Sequence, residues 1–364
     1  MQNYTGKLSK ELAEKYDPKF ISKSEPFLVE TFPELVAQVA HLAYYNKNQL
    51  LFFRGQGNDY TNRKNSSTFL PSIYRGDYVA KNELEYRFDI LEEASKEVSK
   101  RFAEEKITGY SEFKRKKLMQ WSILQHYEVC STPLLDFTQS LRVACSFAFL
   151  KNETDFAYIF VFGLPYLTNR ISSNSEEDIV NIRLLSITPP DALRPFYQEG
   201  YLAGTTDVTS DYDSKSELDF NNRLIMKFKI PVKQSFWGSD FNIIPESALY
   251  PKQDKILEIC NDIKLNLNDY LKSGDIGDFL KEWNDVEKIL LKKANLTQRH
   301  YSVIEAVKAL NNENKLDMSL AYQIDYLRRF RNNLVHNLSS VNSHAIQDYM
   351  QTLLNVKQEL KKLK

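Results

Sequence analysis

LLFFRG, at residues 50–55, is a short apolar run that closes on a glycine, and it predicts a buried strand. Arg54 places a cation at the end of that strand, and Gly55 has no side chain to keep backbone or ligand away. A charge beside buried apolar residues needs an ion partner or a ligand. Two interpretations follow. One is an ion pair, for example with Asp136 in PLLDF, and the other is a contact of the guanidinium with a ligand phosphate or carboxylate.

Further helices and strands are predicted on both sides of this strand. Apolar residues at helical spacing predict helices at 30–47, 82–105, 111–127 and 139–150. Alternation that ends at a proline predicts strands at 155–165 and 222–231. Polar composition predicts loops at 169–182 and 203–221. This order indicates a mixed α/β domain over residues 1–272.

The segment SGDIG, at 273–277, marks a boundary, and almost everything after it has helical spacing. Four amphipathic stretches follow, which begin at Phe279, Val303, Leu320 and Ile346. Short connections between them predict an antiparallel helical bundle over residues 273–364. A chain of 364 residues also exceeds what one core usually serves. The predicted fold class is therefore α+β, with a mixed α/β domain followed by an all-α antiparallel bundle.

Composition narrows the location and the partners. The 48 Lys and Arg residues equal the 48 Asp and Glu residues, so no overall field attracts nucleic acid or a membrane. The 3 cysteines are far apart, which argues against a disulfide framework or a cysteine zinc site. The sequence has no long uncharged apolar stretch and no apolar signal segment. We expect a cytoplasmic protein that has no membrane partner, no metal, no resident cofactor and no motif that reads DNA sequence.

Several ordered motifs resemble the FRG domain family over about residues 50–260. They are LFFRGQ (51–56), LPSIYR (70–75), WSILQHYEVCSTPLLDFTQSLRVACSFAF (121–149), RPFYQEGYLAG (194–204) and YPKQDKILEI (250–259). In the third motif Glu128, Pro133 and Phe137 replace the Gly, Arg and Trp of the family pattern. The turn between Tyr127 and Leu134 therefore departs from the family.

This resemblance implies a ligand site built from the motif residues. They are Arg54, Gly55, Gln56, Tyr74, Arg75, His126, Asp136, Thr138, Gln198 and Glu199. Their order is comparable to that in ADP-ribosyltransferase folds, where a strand-end arginine grips NAD, a Ser/Thr turn precedes a helix and a later glutamate orients the ribose. His126 has a second interpretation, because a histidine within an apolar helix is often a hydrogen-bonded core residue.

The third C-terminal helix, LAYQIDYLRRFRNNLVHN (320–337), carries a cation where its apolar stripe predicts a core residue. The stripe consists of Leu320, Ile324, Leu327 and Leu334. Arg331 occupies the position of that stripe between Leu327 and Leu334. A buried guanidinium is costly unless it is paired. His336 lies just over one turn further along, and Asn332 lies beside both.

Arg-Asn-x-x-x-His in a helical bundle resembles the HEPN superfamily, over about residues 277–364. Members that cut RNA act as dimers without metal. The resemblance implies that Arg331 holds the phosphate, His336 moves the proton and Asn332 orients them. Arg328 and Arg329 flank the motif, as RNA-phosphate contacts would. The alternative is a structural clasp, in which Arg and His bond inside the fold or across a dimer.

Three functions follow from these patterns. The leading one is a metal-independent endoribonuclease, formed by a homodimer of the C-terminal helices and regulated by the FRG-like region. Such a fusion resembles the effectors of bacterial conflict systems, a toxin or an anti-phage factor. The first alternative is ADP-ribosyl transfer or NAD hydrolysis in the FRG-like region, with NAD as substrate. The second is a non-catalytic binding protein in which both motifs are structural.

Overall fold

The computed structural model describes residues 1–76, 79, 81–150, 152–208, 212, 214–272, 274–296, 302–336 and 343–363. Within these ranges, the description excludes the side chains at 81–83, 86, 268–272, 274–276, 333, 335–336 and 343–348. His336, which the sequence predicts to be catalytic, is one of these residues. Its backbone ends a helix, and its side chain lies outside the described residues.

The chain divides into two compact units. The first consists of Met1–Asp77 and Val98–Cys260, and the second consists of Tyr78–Glu97 and Asn261–Lys364. A mixed sheet with helices forms the first unit and helices form the second, which confirms the predicted α+β class. The domain limits 1–272 and 273–364 stay a prediction about which parts of the chain fold independently.

One mixed sheet organises the first unit. Its described strands are β1 (Phe27–Leu28), β2 (Leu50–Gln56), β3 (Leu135–Thr138), β4 (Phe156–Leu164), β5 (Ile171–Asn174), β6 (Ile179–Arg183), β7 (Gly200–Gly204) and β8 (Leu224–Pro231). Their order is β1-β8-β4-β2-β3-β7-β6-β5. Of the pairings in this part of the chain, β1 with β8 is parallel and the others are antiparallel. The predicted strand at LLFFRG is confirmed as β2, which lies between β4 and β3.

Helices cover much of the rest of the chain. Those described are α1 (Lys10–Ala13), α2 (Phe32–Tyr45), α3 (Lys81–Glu104), α4 (Tyr110–Phe113), α5 (Lys117–His126), α6 (Leu141–Phe149), α7 (Arg194–Tyr197), α8 (Glu246–Leu249), α9 (Lys255–Lys272), α10 (Gly274–Lys293), α11 (Val303–Asn312), α12 (Met318–His336) and α13 (Ser343–Lys362). Within the first unit, α6 packs on β2, β3 and β4. In these helices no segment is both long enough and apolar enough to cross a membrane.

The close approach of α6 to β2 requires a glycine at position 55. A Cβ added to Gly55 would lie 1.8 Å from the carbonyl oxygen of Ala144 and 2.7 Å from its carbonyl carbon. Both atoms are backbone, so neither can rotate away as the end of a side chain would. The glycine that closes the LLFFRG run therefore fixes the distance between the strand and the helix beside it.

Several predicted elements are confirmed, and the loop predicted at 169–182 is wrong. The helices at 30–47, 82–105 and 139–150 correspond to α2, α3 and α6, and the strands at 155–165 and 222–231 to β4 and β8. The predicted helix at 111–127 is divided into α4 and α5. The loop predicted at 169–182 contains β5 and most of β6, and the one at 203–221 contains the end of β7. Strand β5 is polar because it is an edge strand, so pairing with β6 rather than burial defines it.

In the second unit, the four C-terminal helices predicted from apolar spacing are confirmed as α10 to α13. Their apolar stripes meet in one core, and the largest described members of that core include Phe279, Trp283, Phe330 and Leu353. Helix α13 packs against α10 and α12, and α11 packs against α10 and α12 as well. Ser302 caps α11 in a reciprocal capping box with Glu305.

Candidate functional site

A cavity of about 240 Å³ lies in the first unit, where β2, β3 and β7 meet α5 and α6. Its lining residues are Phe53, Arg54, Gly55, Gln125, His126, Glu128, Asp136, Phe137, Thr138, Ala144, Phe147, Gln198, Gly200 and Tyr250. Six of the predicted ligand residues are among them: Arg54, Gly55, His126, Asp136, Thr138 and Gln198. Motifs that are distant in the sequence therefore converge on one concave surface.

Strand register explains this convergence. Phe53 of β2 pairs with Thr138 of β3, and Thr138 pairs with Gly200 of β7. The end of the LLFFRG strand, the end of PLLDFT and the start of GYLAG are therefore neighbours in the sheet. The Thr138 hydroxyl donates to the Glu199 carbonyl at 3.2 Å, which joins β3 to the residue just before β7. Antiparallel pairing thus places three separate motifs within one site.

Arg54 enters this site with one described hydrogen bond and one unsatisfied nitrogen. Its Nη1 donates to the backbone carbonyl of Asp136 at 2.7 Å. Its Nε is buried and has no hydrogen-bond partner among the described residues. Burial lowers the pKa of Arg54 from its ordinary value, the charge of Asp136 opposes that effect, and Arg75 adds to it. A guanidinium held this way can still donate to an anionic ligand.

His126 and Asp136 form the polar centre of the cavity. The Nδ1 of His126 lies 3.4 Å from Asp136 Oδ1, and Gln125 Nε2 donates to Oδ2 at 2.6 Å. Thr132 in turn donates to the side-chain oxygen of Gln125. Burial opposes ionisation of Asp136, but the hydrogen bond and charge of His126, the charge of Arg54 and the Gln125 bond together lower its pKa.

The opposite nitrogen of the His126 ring is unused. His126 is 7% exposed, and its Nε2 has no hydrogen-bond partner within the described part of the chain. Since Asp136 engages Nδ1, it fixes the orientation of the ring. The buried Nε2 is therefore available to a bound molecule as a hydrogen-bond donor or acceptor.

An aromatic and cationic stack lies beside the cavity, and its member Tyr250 lines the cavity. Arg194 lies between the rings of Tyr127 and Tyr250, 5.2 and 5.0 Å from their centroids, and it donates to the His126 carbonyl at 3.4 Å. Asp254 accepts from the hydroxyl of Tyr127 at 2.7 Å. These contacts fix the end of α5, and with it the position of His126.

Four predicted ligand residues lie outside this cavity. Tyr74 is buried in the core, with its ring edge-to-face against Tyr212. Glu199 is exposed and adopts a left-handed backbone with φ of 45°. Gln56 and Arg75 line a second cavity of about 900 Å³, which shares Arg54 with the first. Glu199 still lies next to the cavity, because its backbone carbonyl accepts from the Thr138 hydroxyl.

Sequence reasoning missed several residues that line the cavity. Gln125 and Glu128 flank the predicted His126 in the same family motif, and Tyr250 opens the closing motif YPKQDKILEI. Because all three residues lie within FRG-like motifs, those motifs were the signal that could have identified them. Phe147 and Ala144 come from the apolar face of α6, where a residue that lines a site and a core residue have the same pattern.

In the second unit Arg331 is buried, as a residue on the apolar stripe of its helix should be, with 6% exposure. Its Nη1 donates to the Asn332 side chain at 3.1 Å and lies 3.9 Å from a carboxylate oxygen of Asp89. Arg328 and Arg329 both hydrogen-bond to Asp325 on their own helix. The structural clasp stays the alternative interpretation of this motif. The catalytic roles of Arg331, Asn332 and His336, and the phosphate contacts of Arg328 and Arg329, remain predictions.

Comparison with known proteins supports one part of this assignment. No curated protein and no solved structure matches the chain. The HEPN resemblance of the C-terminal helices therefore stays a prediction. The FRG resemblance is confirmed over a shorter range than 50–260. Residues 49–156, which include Arg54, His126 and Asp136, match the FRG domain.

Proposed function

We propose that the FRG region binds NAD and cleaves its nicotinamide–ribose bond, so that ADP-ribose passes to water or to another acceptor. One observation carries this proposal. Arg54, Thr138 and Glu199 come from, or directly precede, three neighbouring strands whose ends are in register. The same three residues follow one another in this order along the sequence, and that order is what suggested NAD as a substrate.

Arg54 supplies the phosphate contact. A guanidinium presents several N–H donors in one plane and matches the oxygens of a phosphate. The carboxylate of Asp136 bonds to His126 and Gln125, and the main-chain carbonyl of Asp136 accepts from Arg54. The unused Nε of Arg54 is thus held inside the first unit at the edge of the cavity.

The carboxylates suit the charge that the reaction develops. When the bond from ribose C1′ to the nicotinamide nitrogen breaks, the electron pair leaves with neutral nicotinamide and positive charge develops on the ribose. A negative group near that carbon stabilises the charge. Glu128 lines the cavity, and Glu199 lies beside the cavity residues Gln198 and Gly200. In hydrolysis water adds its oxygen to C1′ and gives up a proton, for which His126 Nε2 is the nearby acceptor.

Nicotinamide release tests the proposal. Purified protein incubated with NAD should release free nicotinamide, detected by liquid chromatography. Arg54→Ala should reduce the rate by at least about 100-fold, because a phosphate contact and its positioning are lost. Arg115→Ala is the matched control, since Arg115 is exposed and bonds to a carbonyl on its own helix segment.

Two results would contradict the proposal. One is that the wild-type protein neither binds NAD by calorimetry nor releases nicotinamide from it. The other is equal release by the wild-type protein and by a folded Arg54→Ala variant, with folding judged from circular dichroism and the melting temperature.

The ribonuclease hypothesis for the C-terminal helices is separate from this proposal. It assigns Arg331 to the phosphate, His336 to proton transfer and Asn332 to their orientation, in a homodimer that binds RNA. Its support is the motif on the third C-terminal helix. Nicotinamide release that persists in His336→Ala would separate the two activities.

A further inference from the structure

His126 can accept a proton at Nε2 in only one of its two neutral forms. In that form Nδ1 carries the hydrogen and Nε2 carries the lone pair. Nε2 is buried and has no hydrogen-bond partner among the residues that the structure describes, so no described group on that side of the ring selects a form. The selection therefore depends on the group that Nδ1 contacts, since the hydrogen bond of one ring nitrogen determines the state of the other.

The group that Nδ1 contacts is a carboxylate. Nδ1 of His126 lies 3.4 Å from Asp136 Oδ1. Burial opposes ionisation of Asp136, but the hydrogen bond and charge of His126, the charge of Arg54 and the Gln125 bond keep its pKa below the ordinary value. An ionised carboxylate has no hydrogen to donate, so Nδ1 must be the donor. This contact places the hydrogen on Nδ1 and leaves the lone pair on Nε2.

Gln125 holds the other oxygen of that carboxylate. Its Nε2 donates to Asp136 Oδ2 at 2.6 Å. Because the carboxylate only accepts, the amide nitrogen of Gln125 must face Asp136, and the amide oxygen must face away from it. That oxygen accepts from the Thr132 hydroxyl. Partners on both sides of the amide thus fix Gln125 in one of its two orientations.

Thr132 is the residue of this network that lies farthest from the cavity. It is completely buried and is not among the residues that line the cavity. Its hydroxyl oxygen accepts from the Leu134 amide at 3.3 Å, so the hydroxyl hydrogen is left for Gln125. Since Thr132 does not reach the cavity, any effect of its hydroxyl on a bound molecule must pass through Gln125.

The LPSIYR motif (70–75) anchors Thr132. The Thr132 amide donates to the Ser72 hydroxyl at 2.9 Å, and that hydroxyl donates to the Thr132 carbonyl at 3.3 Å. The Ile73 amide donates to the same carbonyl at 3.1 Å. These contacts fix the backbone on both sides of the Thr132 side chain. They connect a motif some 50 residues earlier in the sequence to the side chain of His126.

From this network we infer that Thr132 and Gln125 are positioning residues, which act through Asp136 to keep the hydrogen of the neutral His126 ring on Nδ1. The lone pair on Nε2 then takes the proton of the attacking water, as the water oxygen bonds to ribose C1′ and the electron pair of the C1′–nitrogen bond leaves with nicotinamide. The charged ring that results keeps its Nδ1–H bond to Asp136. This inference rests on the proposed function and adds the tautomer and the two residues that set it.

Nitrogen NMR of the histidine rings tests the tautomer without any substrate. The chain has 5 histidines, and the signals of His126 are those that disappear in His126→Gln. In the neutral wild-type ring, Nδ1 should be the protonated nitrogen. Thr132→Val and Gln125→Met should each mix in the form protonated on Nε2, because a carboxylate of Asp136 that is no longer held contacts Nδ1 only part of the time. Thr132→Ser keeps the hydroxyl and should keep the wild-type spectrum.

The rate of nicotinamide release tests the consequence for catalysis. Thr132→Val and Gln125→Met should lower kcat about tenfold, the effect of losing one hydrogen bond that orients the proton acceptor. Thr132→Val should leave the KM for NAD almost unchanged, since binding through Arg54 is not altered. Gln120→Met is the matched control, because Gln120 is buried on the same helix and donates to the Phe113 carbonyl at 3.1 Å. It should keep both the wild-type tautomer and the wild-type kcat.

Three results would overturn the inference. The first is a neutral wild-type ring that is protonated on Nε2. The second is a Thr132→Val variant that matches Thr132→Ser in both tautomer and kcat, and the third is a changed tautomer with an unchanged kcat. If the wild-type protein releases no nicotinamide, the proposed function fails, while the spectra of Thr132→Val and Thr132→Ser still decide whether the network sets the tautomer of His126.

Discussion

Arg54 Nη1 donates to the main-chain carbonyl of Asp136 at 2.7 Å, while the Asp136 carboxylate contacts His126 and Gln125. The sequence suggested an ion pair or a ligand contact for this arginine. The structure gives a backbone hydrogen bond, which holds the guanidinium in place and leaves the carboxylate to orient the imidazole. Asp136 of β3 thus positions two side chains of the cavity. Its main-chain carbonyl holds Arg54, and its carboxylate holds His126.

Gly55→Ala should destabilise the first unit strongly. The added Cβ would lie 1.8 Å from the Ala144 carbonyl oxygen, so α6 or β2 must shift. We expect the free energy of unfolding to fall by about 3 kcal/mol or more, at the upper end of overpacking effects. Urea unfolding followed by circular dichroism measures the change.

Gly57→Ala is the matched control for that substitution. A Cβ at Gly57 meets the end of the Asn152 side chain no closer than 3.4 Å, which is an ordinary contact. Its effect should stay within about 1 kcal/mol. Equal effects of the two substitutions would show that the approach of α6 to β2 does not constrain position 55.

Asp136→Asn should change how stability depends on pH. The folded-state pKa of Asp136 lies below its ordinary value of 3.8. A carboxyl with a depressed folded pKa stabilises the fold above its unfolded pKa and loses that contribution as the pH falls through the folded pKa. The wild-type protein should therefore be more stable than Asp136→Asn near pH 6, and the difference should shrink below pH 3.8.

Chemical unfolding at a series of pH values measures this difference. Asp240→Asn, which removes an exposed carboxylate outside the cavity, is the matched control. A gap between the wild-type protein and Asp136→Asn that widens as the solution becomes more acidic would contradict the assignment.

Arg331→Ala should destabilise the helical unit. The substitution leaves Asp89 without the cation 3.9 Å away and opens a gap on the apolar stripe of α12. We expect a loss of about 3 kcal/mol, at the low end for a broken buried pair because the Asp89 side chain is 22% exposed. Arg331→Met should lose less, since it keeps the packing.

Arg329→Ala is the control on the same helix, because the Arg329 side chain is 75% exposed. Its effect should stay within about 0.5 kcal/mol. Thermal unfolding of the three variants decides the matter, and an Arg331→Ala variant as stable as Arg329→Ala would exclude a structural clasp.

The ribonuclease hypothesis makes its own prediction. RNA incubated with the protein in EDTA should be cut to fragments that carry 2′,3′-cyclic phosphate ends, because the ribose 2′-hydroxyl is the nucleophile. His336→Ala should abolish cutting and leave the melting temperature unchanged, whereas Arg54→Ala should still cut. RNA that stays intact, or cutting that persists in His336→Ala, would end this hypothesis.

Local pattern was sufficient for the elements with strong periodicity. Alternating apolar residues located β4 and β8, and three-and-four spacing located α10 to α13, because burial imposes those periods. Local pattern did not identify β3 and β5. Each is only four residues long and owes its strand geometry to pairing, β3 with β7 and β5 with β6. Pairing between distant segments leaves little signal in either segment alone.

The residues of the candidate site were also predictable only in part from the sequence. Arg54, His126 and Asp136 were recognisable as polar residues in apolar segments. Gln56 and Arg75 were named with them, but no sequence rule could tell that they line a different cavity. That depends on tertiary neighbours: Arg54 and Gln56 are two residues apart in β2 and both line the larger cavity, and Arg54 lines the smaller one as well.

The central position of β2, between β4 and β3, has a practical result for ligand discovery. Any compound that engages Arg54 attaches to an interior strand of the sheet, and it adds its binding free energy to the native state and not to the unfolded chain. Candidate nucleotides can therefore be ranked by the rise in melting temperature that they produce, before any catalytic assay exists. A molecule present at 100 times its Kd would add about 2.7 kcal/mol.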